Sequence, residues 1–145
     1  MVRTRRDARE RALSLCYELD VRGSSVDDLL VELPAAPAPY AVELVRGVED
    51  HRDEIDAIIS KFADRWSIDR MPVIDRNLLR IAVYELGWRP EIPLGVAISE
   101  AVDLAKRYST DDSGRFVNGM LGRIGEHLRD DSGGHPRTPG ADGNA

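Results

Sequence analysis

A chain of 145 residues, 42% hydrophobic and 32% charged, is long enough for one domain of ordinary size with its own core. Its single cysteine, Cys16, excludes an internal disulfide, and a formal net charge of −6 speaks against a broad nucleic-acid-binding surface. No apolar run approaches the roughly 18 residues of a membrane span, and the N-terminus opens on arginines rather than on the apolar stretch of a secretory signal. These features together predict a globular protein of the cytoplasm.

The net charge hides an asymmetry. Arg3, Arg5, Arg6, Arg9 and Arg11 crowd the first eleven residues, opposed there only by Asp7 and Glu10. Arginine also outnumbers lysine throughout, which suits bidentate and stacked contacts better than solubility alone. The first predicted helix covers residues 4–20, with Ala8, Ala12, Leu15, Cys16 and Leu19 at helical spacing and Tyr17 near the seam. Cys16 on that apolar face reads as a buried, inert thiol.

Gly23-Ser24-Ser25 ends this helix and caps a short second one, about 25–33, whose first turn carries Asp27 and Asp28. Three prolines within residues 34–39 make a linker. A third helix is expected over 40–50. A fourth follows at once, its stripe running Ile55, Ile58, Ile59, Phe62 and on towards Trp66. Residues 65–71 connect it to the next.

Residues 72–90 read as the central helix. Pro72 suits the first helical position, and Gly87 with Pro90 beyond it makes a stop. Ile74, Leu78, Ile81, Ala82 and Leu86 form one apolar row, and Leu79 with Val83 a second beside it. A helix apolar on two faces is packed on two sides. Glu85 inside it needs a partner, because an unpaired buried carboxylate is costly; a nearby arginine or a helix end would serve.

A sixth helix over 94–108 carries Val96, Ala97, Ala101, Leu104, Ala105 and Tyr108, with Glu100 and Asp103 facing Lys106 and Arg107 as on a solvated face. Residues 109–114 cap the last helix, about 113–128, in which Phe116, Val117, Met120, Leu121, Ile124 and Leu128 keep period. That period overrides the hairpin signal of Asn118-Gly119. Gly119 and Gly122 then predict the close approach of another helix, and Asn118, if inward, needs a polar partner. Residues 129–145 have no apolar side chain larger than alanine or proline and are expected to be disordered, leaving 1–128 as the domain. The fold class is therefore all-α, a compact bundle of about seven helices.

Little here would build an enzyme. His51, His127 and His135 are scattered, no Cys/His pair has metal-ligand spacing, and no glycine-rich phosphate loop or nucleophile elbow is present. No cofactor or metal is expected, which leaves a binding module.

Three blocks resemble the NusB family of bacterial transcription antitermination factors. They are residues 5–13 with Tyr17-Glu18; residues 75–86 with Ile92-Pro93 and 97–106; and residues 112–121. They stand in the family's order, and the likeness spans about residues 3–128. The resemblance implies an all-helical domain in two subdomains. It implies binding of the single-stranded boxA element of nascent ribosomal RNA together with the small-subunit ribosomal protein NusE, within an antitermination complex on RNA polymerase. By position, Arg5, Arg6 and Arg9 match the family's arginine-rich RNA-binding motif, and Tyr17 its tyrosine on the first helix. Asp112, Arg115 and Phe116 match residues beside the RNA. Asp69 and Asp75 match acidic positions facing NusE, with Arg76 next to them.

Such groups suit RNA binding, since arginines hold phosphates and aromatics stack on unpaired bases. Each also has a plainer reading, Phe116 and Tyr17 as core, Asp112 as a cap, Asp75 and Arg76 as first-turn charges. Asp7 interrupts the arginine run where many relatives are basic, and with the acidic body this predicts weak RNA binding without NusE. Two alternatives stay open. One is a protein-interaction module whose arginines are merely solvated. The other is an RNA-modification accessory, since a NusB-like domain also precedes ribosomal RNA methyltransferase domains; a free methyltransferase is not expected, because no cofactor loop follows. A second copy packing on the first helix, hiding its arginines in a homodimer, is a further option.

Overall fold

The structure is a computed structural model that describes residues 4–64 and 66–129. Among them lie seven α-helices: α1 (Arg5–Arg22), α2 (Val26–Glu32), α3 (Pro39–Asp50), α4 (Arg52–Phe62), α5 (Val73–Trp88), α6 (Leu94–Tyr108) and α7 (Asp111–Leu128), with a 3-10 turn at Ile68–Arg70. The all-α bundle is as expected, and α5 is its axis. Helices α1 and α3 pack on one side of α5, α4, α6 and α7 on the other, and α2 leans on α3. The apolar side chains of both groups form one continuous core.

Every residue of α5 from Asn77 to Gly87 is buried. Its polar side chains therefore need partners, and each has one. Arg80 makes a bidentate pair with Asp56 (2.8 and 3.1 Å) and reaches Asp20 (3.2 Å); Asn77 donates to Asp20 (3.0 Å). Arg76, half-buried, closes the same cluster with two bonds to Asp20 (2.7 and 2.8 Å). Burial raises the Asp20 carboxyl, but the bonds from Arg76 and Asn77 outweigh it and hold the group below its ordinary value.

Four expectations are corrected. Pro72 caps α5 rather than opening it, and α5 runs through Gly87 to Trp88, because the chain stays packed there. The α4 stripe stops at Ala63; Trp66 stands 56% exposed. Gly119 and Gly122 face open space, and the close contact falls at Gly125, where a Cβ would lie 2.6 Å from Leu94. Asn118 between them is exposed, so it needs no buried partner.

Arg129, expected in the tail, belongs to the fold. It is 4% exposed and donates to the carbonyls of Ile92 (2.6 Å), Arg89 (3.2 Å), Glu85 and Leu86 (3.3 Å each). One guanidinium thus gathers carbonyls of the last turn of α5 and of the segment that follows it. The disorder expected for the rest, residues 130–145, lies outside the described residues, as do Arg3 and Arg65. Cys16 is buried, and burial pushes its thiol up to about 12, so it is inert at neutral pH.

Candidate nucleic-acid interface

Helix α1 begins at a capping box. The Asp7 N–H donates to Thr4 Oγ1 (3.1 Å) and the Thr4 N–H to the Asp7 carboxylate (3.3 Å). This gives Asp7 a local reason to interrupt the arginine run. Arg5 and Arg6 then occupy the first turn, where cations oppose the helix dipole. Their charge adds to the positive end of the helix and strengthens its pull on an anion.

The three arginines of the motif part company here. Arg5 is exposed, its guanidinium 4.7 Å from the centre of the Tyr40 ring. Arg6 has a side chain 60% exposed and donates to Glu100 through Nε (3.2 Å) and Nη2 (2.8 Å). That contact holds the Glu100 carboxyl below its ordinary value and the Arg6 guanidinium above its own. Glu100 is thus turned towards α1 and nearly enclosed, at 14% side-chain exposure, rather than paired along α6 as expected.

Arg9 points inward. At 5% exposure it donates through Nε to both Glu85 oxygens (3.0 Å each), the Tyr40 hydroxyl donates to the same carboxylate, and Arg9 Nη1 reaches Glu100 (3.4 Å). Burial depresses the Arg9 guanidinium, and the hydrogen bond to Glu85 together with the charges of Glu85, Tyr40 and Glu100 more than restores it. The partner that Glu85 required is therefore Arg9, across 76 residues of sequence. With its N–H groups committed to Glu85 and Glu100, Arg9 holds the start of α1 on α5.

Tyr17 is 41% exposed. It lines an open groove of about 890 Å³ along α1 with Glu10, Arg11, Leu13, Ile74 and Tyr108. The Tyr108 hydroxyl donates to Glu10, which ties α6 to the groove wall.

Asp112 and Arg115 are both exposed and pair with each other (2.7 Å) on the first turns of α7, and Phe116 beside them is half-buried. Asp69 is exposed. Asp75, expected at a partner-facing surface, is 3% exposed and accepts from Ser109 (2.6 Å) and Ser113 (2.8 Å). It anchors the start of α7, and Thr110 and Ser113 complete a capping box there. Arg76 is likewise turned inward, to Asp20 and the carbonyl of Asp69 (3.3 Å). The structure thus brings Arg5, Arg6 and Tyr17 to the surface of α1 and Asp112, Arg115 and Phe116 to the start of α7. It withdraws Arg9, Asp75 and Arg76 into structural roles. Residue spacing carries no sign of Tyr40 and Glu100, the side chains that orient the arginines.

The family profile described as "NusB family" matches residues 6–126. The chain belongs to the NusB family. It is 52% identical to the transcription antitermination protein NusB of Salinispora tropica over 130 residues, covering 85% of this chain and 96% of that one. It is 46% identical to the protein of the same description from Thermobifida fusca, covering 85% and 89%. Among solved structures, NusB of T. maritima superposes with a TM-score of 0.80 at 36% identity, covering 87% of this chain and 93% of that one. A chain from a crystal structure described as antitermination factors NusB and NusE in complex with double-stranded RNA superposes with a TM-score of 0.73 at 35% identity, covering 88% and 99%. The NusB match reaches all seven helices; it takes in Arg6, Arg9 and the capped start of α7, and begins one residue after Arg5. Among the described residues no helix is long and apolar enough to cross a membrane, and no cluster of His, Cys, Asp or Glu could hold a metal ion.

Proposed function

We propose that the chain is a transcription antitermination factor that binds the boxA element of nascent ribosomal RNA transcripts together with NusE, in the antitermination complex on RNA polymerase. It works in the cytoplasm by binding and without catalysis. The observation that carries this reading is the pair of exposed first-turn arginines, Arg5 and Arg6, on a chain whose NusB-family match runs through every helix. Both charges oppose the helix dipole, and a phosphate ligand gives that placement a purpose.

In this reading Arg5 and Arg6 hold phosphates, and Tyr17 and Phe116 offer ring faces to unpaired bases. Asp112 with Arg115 presents a polar edge beside them. Asp69 meets the protein partner, while Asp75 and Arg76 support that surface from below. Arg9 serves the RNA only by fixing the helix that carries its neighbours. The pairing of Arg6 with Glu100 and the net charge of −6 agree with weak RNA binding until NusE adds basic surface.

The test is binding of a boxA-bearing RNA and a scrambled strand, with and without NusE. The reading expects selective binding that is tight only with both proteins. Equal affinity for the two strands would overturn it.

A further inference from the structure

Trp66 is the largest apolar side chain left exposed among the described residues, at 56%. The Trp66 N–H donates to the carbonyl of Ala63 (3.0 Å), Asp64 between them takes the left-handed conformation (φ 53°), and Ile68 and Met71 pin the following turn into the core. The fold thus holds an indole out into solvent just before a turn that Ile68 and Met71 pin, although an apolar ring there contributes nothing to the core.

Two shallow concavities, of about 270 and 300 Å³, share Trp66 and Phe116 in their walls. Met71 and Pro72 floor one, Ala63 and Met120 the other. Each is sized for a flat ring system rather than for a helix some 10 Å across. The charged rim cancels in pairs, Asp112 with Arg115 and Asp64 with Arg123 at 3.9 Å. What remains on offer is ring faces. Pro72 and Asp75 of the first concavity flank Ile74, which lines the α1 groove with Tyr17 and Tyr108. The α1 groove and the first concavity are thus lined by successive residues at the start of α5.

We propose that Trp66 is a base-stacking residue for single-stranded RNA, forming with Phe116 the far end of the track that starts at Arg5 and Arg6. The proposal rests on the RNA-binding reading above. Stacking is tolerant of base identity and indifferent to salt, so Trp66 adds affinity without adding a phosphate contact.

The experiment measures binding of a boxA-bearing RNA oligonucleotide to the full chain with NusE, across a salt series, for the wild type, Trp66→Ala and Trp66→Phe. Trp66→Ala weakens binding about tenfold with the salt slope unchanged, and Trp66→Phe recovers most of the loss. In a Trp88→Phe background, RNA also quenches the fluorescence of Trp66. Unchanged RNA affinity in Trp66→Ala overturns the proposal while leaving the wider reading intact. So does a loss confined to NusE binding measured without RNA, which would make the indole a protein anchor. Failure of the wild type to bind the oligonucleotide at all overturns both.

Discussion

Arg6 and Arg9 sit three residues apart on one helix and do opposite things. Arg6 leans on a carboxylate at the surface with most of its side chain in water; Arg9 is sealed against Glu85 and Tyr40 in the core. Residue type does not separate them, but helical phase does. Arg9 shares a face with Ala12, Leu13 and Cys16 at offsets of three, four and seven, all of them buried. At the same offsets Arg6 has Arg9 and Leu13, which are buried, and Glu10, which is not, so it stands at the edge of that face. One arginine-rich run therefore contains a buried, structural half and an exposed half, and the exposed half can be placed only because the buried half fixes α1 on α5.

The largest expected effect breaks the buried half. Glu85→Ala leaves the buried Arg9 with only its longer contact to Glu100 and costs about 3–5 kcal/mol in urea unfolding. Arg9→Ala is of similar size, whereas Arg6→Ala, which removes a partly exposed pair with Glu100, costs much less. Equal stability of the Arg6 and Arg9 variants would erase the distinction. Next in size is Gly47→Ala. A Cβ there would lie 2.3 Å from the Tyr84 ring, where α3 crosses α5, and such overpacking costs about 1–3 kcal/mol, read from the same unfolding curves.

A smaller effect sharpens the exposed half. Arg6→Ala should lower RNA affinity and reduce the logarithmic salt slope by about 0.7 for each phosphate of a single strand that is no longer neutralised. The smallest concerns acid. Asp20 and Glu100 both ionise below their ordinary values in the folded chain. The stability they contribute is complete above the ordinary carboxylate range and is lost as pH falls through the depressed folded values. Asp20→Asn should therefore flatten the acid limb of a stability–pH curve while lowering stability at neutral pH.

Local signals in the sequence mark all seven helices, because capping residues, prolines and apolar period announce them; the bounds they set fall within two residues of those observed, except that the α4 stripe ran on towards Trp66, four residues past its end at Phe62. The demand of Glu85 for a partner was equally plain, since a carboxylate among Leu78, Ala82 and Leu86 cannot stay unpaired. That the partner is Arg9 depends on how α1 lies on α5, which no spacing within either helix records. Asp75 was open to the same phase argument as Arg9, with Leu78, Leu79 and Ala82 on its face, and its burial follows from it. Glu100 was hidden for the opposite reason. Lys106 and Arg107 supplied ready partners along its own helix, whereas Arg6 lies 94 residues away. Gly119 and Gly122 show that a glycine pair in a helix marks a contact only when its face is turned to a neighbour.

The central claim is that the exposed first-turn arginines contact RNA and Arg9 does not. It is tested most directly by the salt dependence of boxA RNA binding, in the presence of NusE, for the wild type, Arg5→Ala, Arg6→Ala and Arg9→Lys. The account predicts a shallower slope for Arg5→Ala and Arg6→Ala. It predicts a wild-type slope for Arg9→Lys, whose ammonium keeps the charge opposite Glu85. A slope lowered by Arg9→Lys and untouched by Arg5→Ala and Arg6→Ala would contradict it.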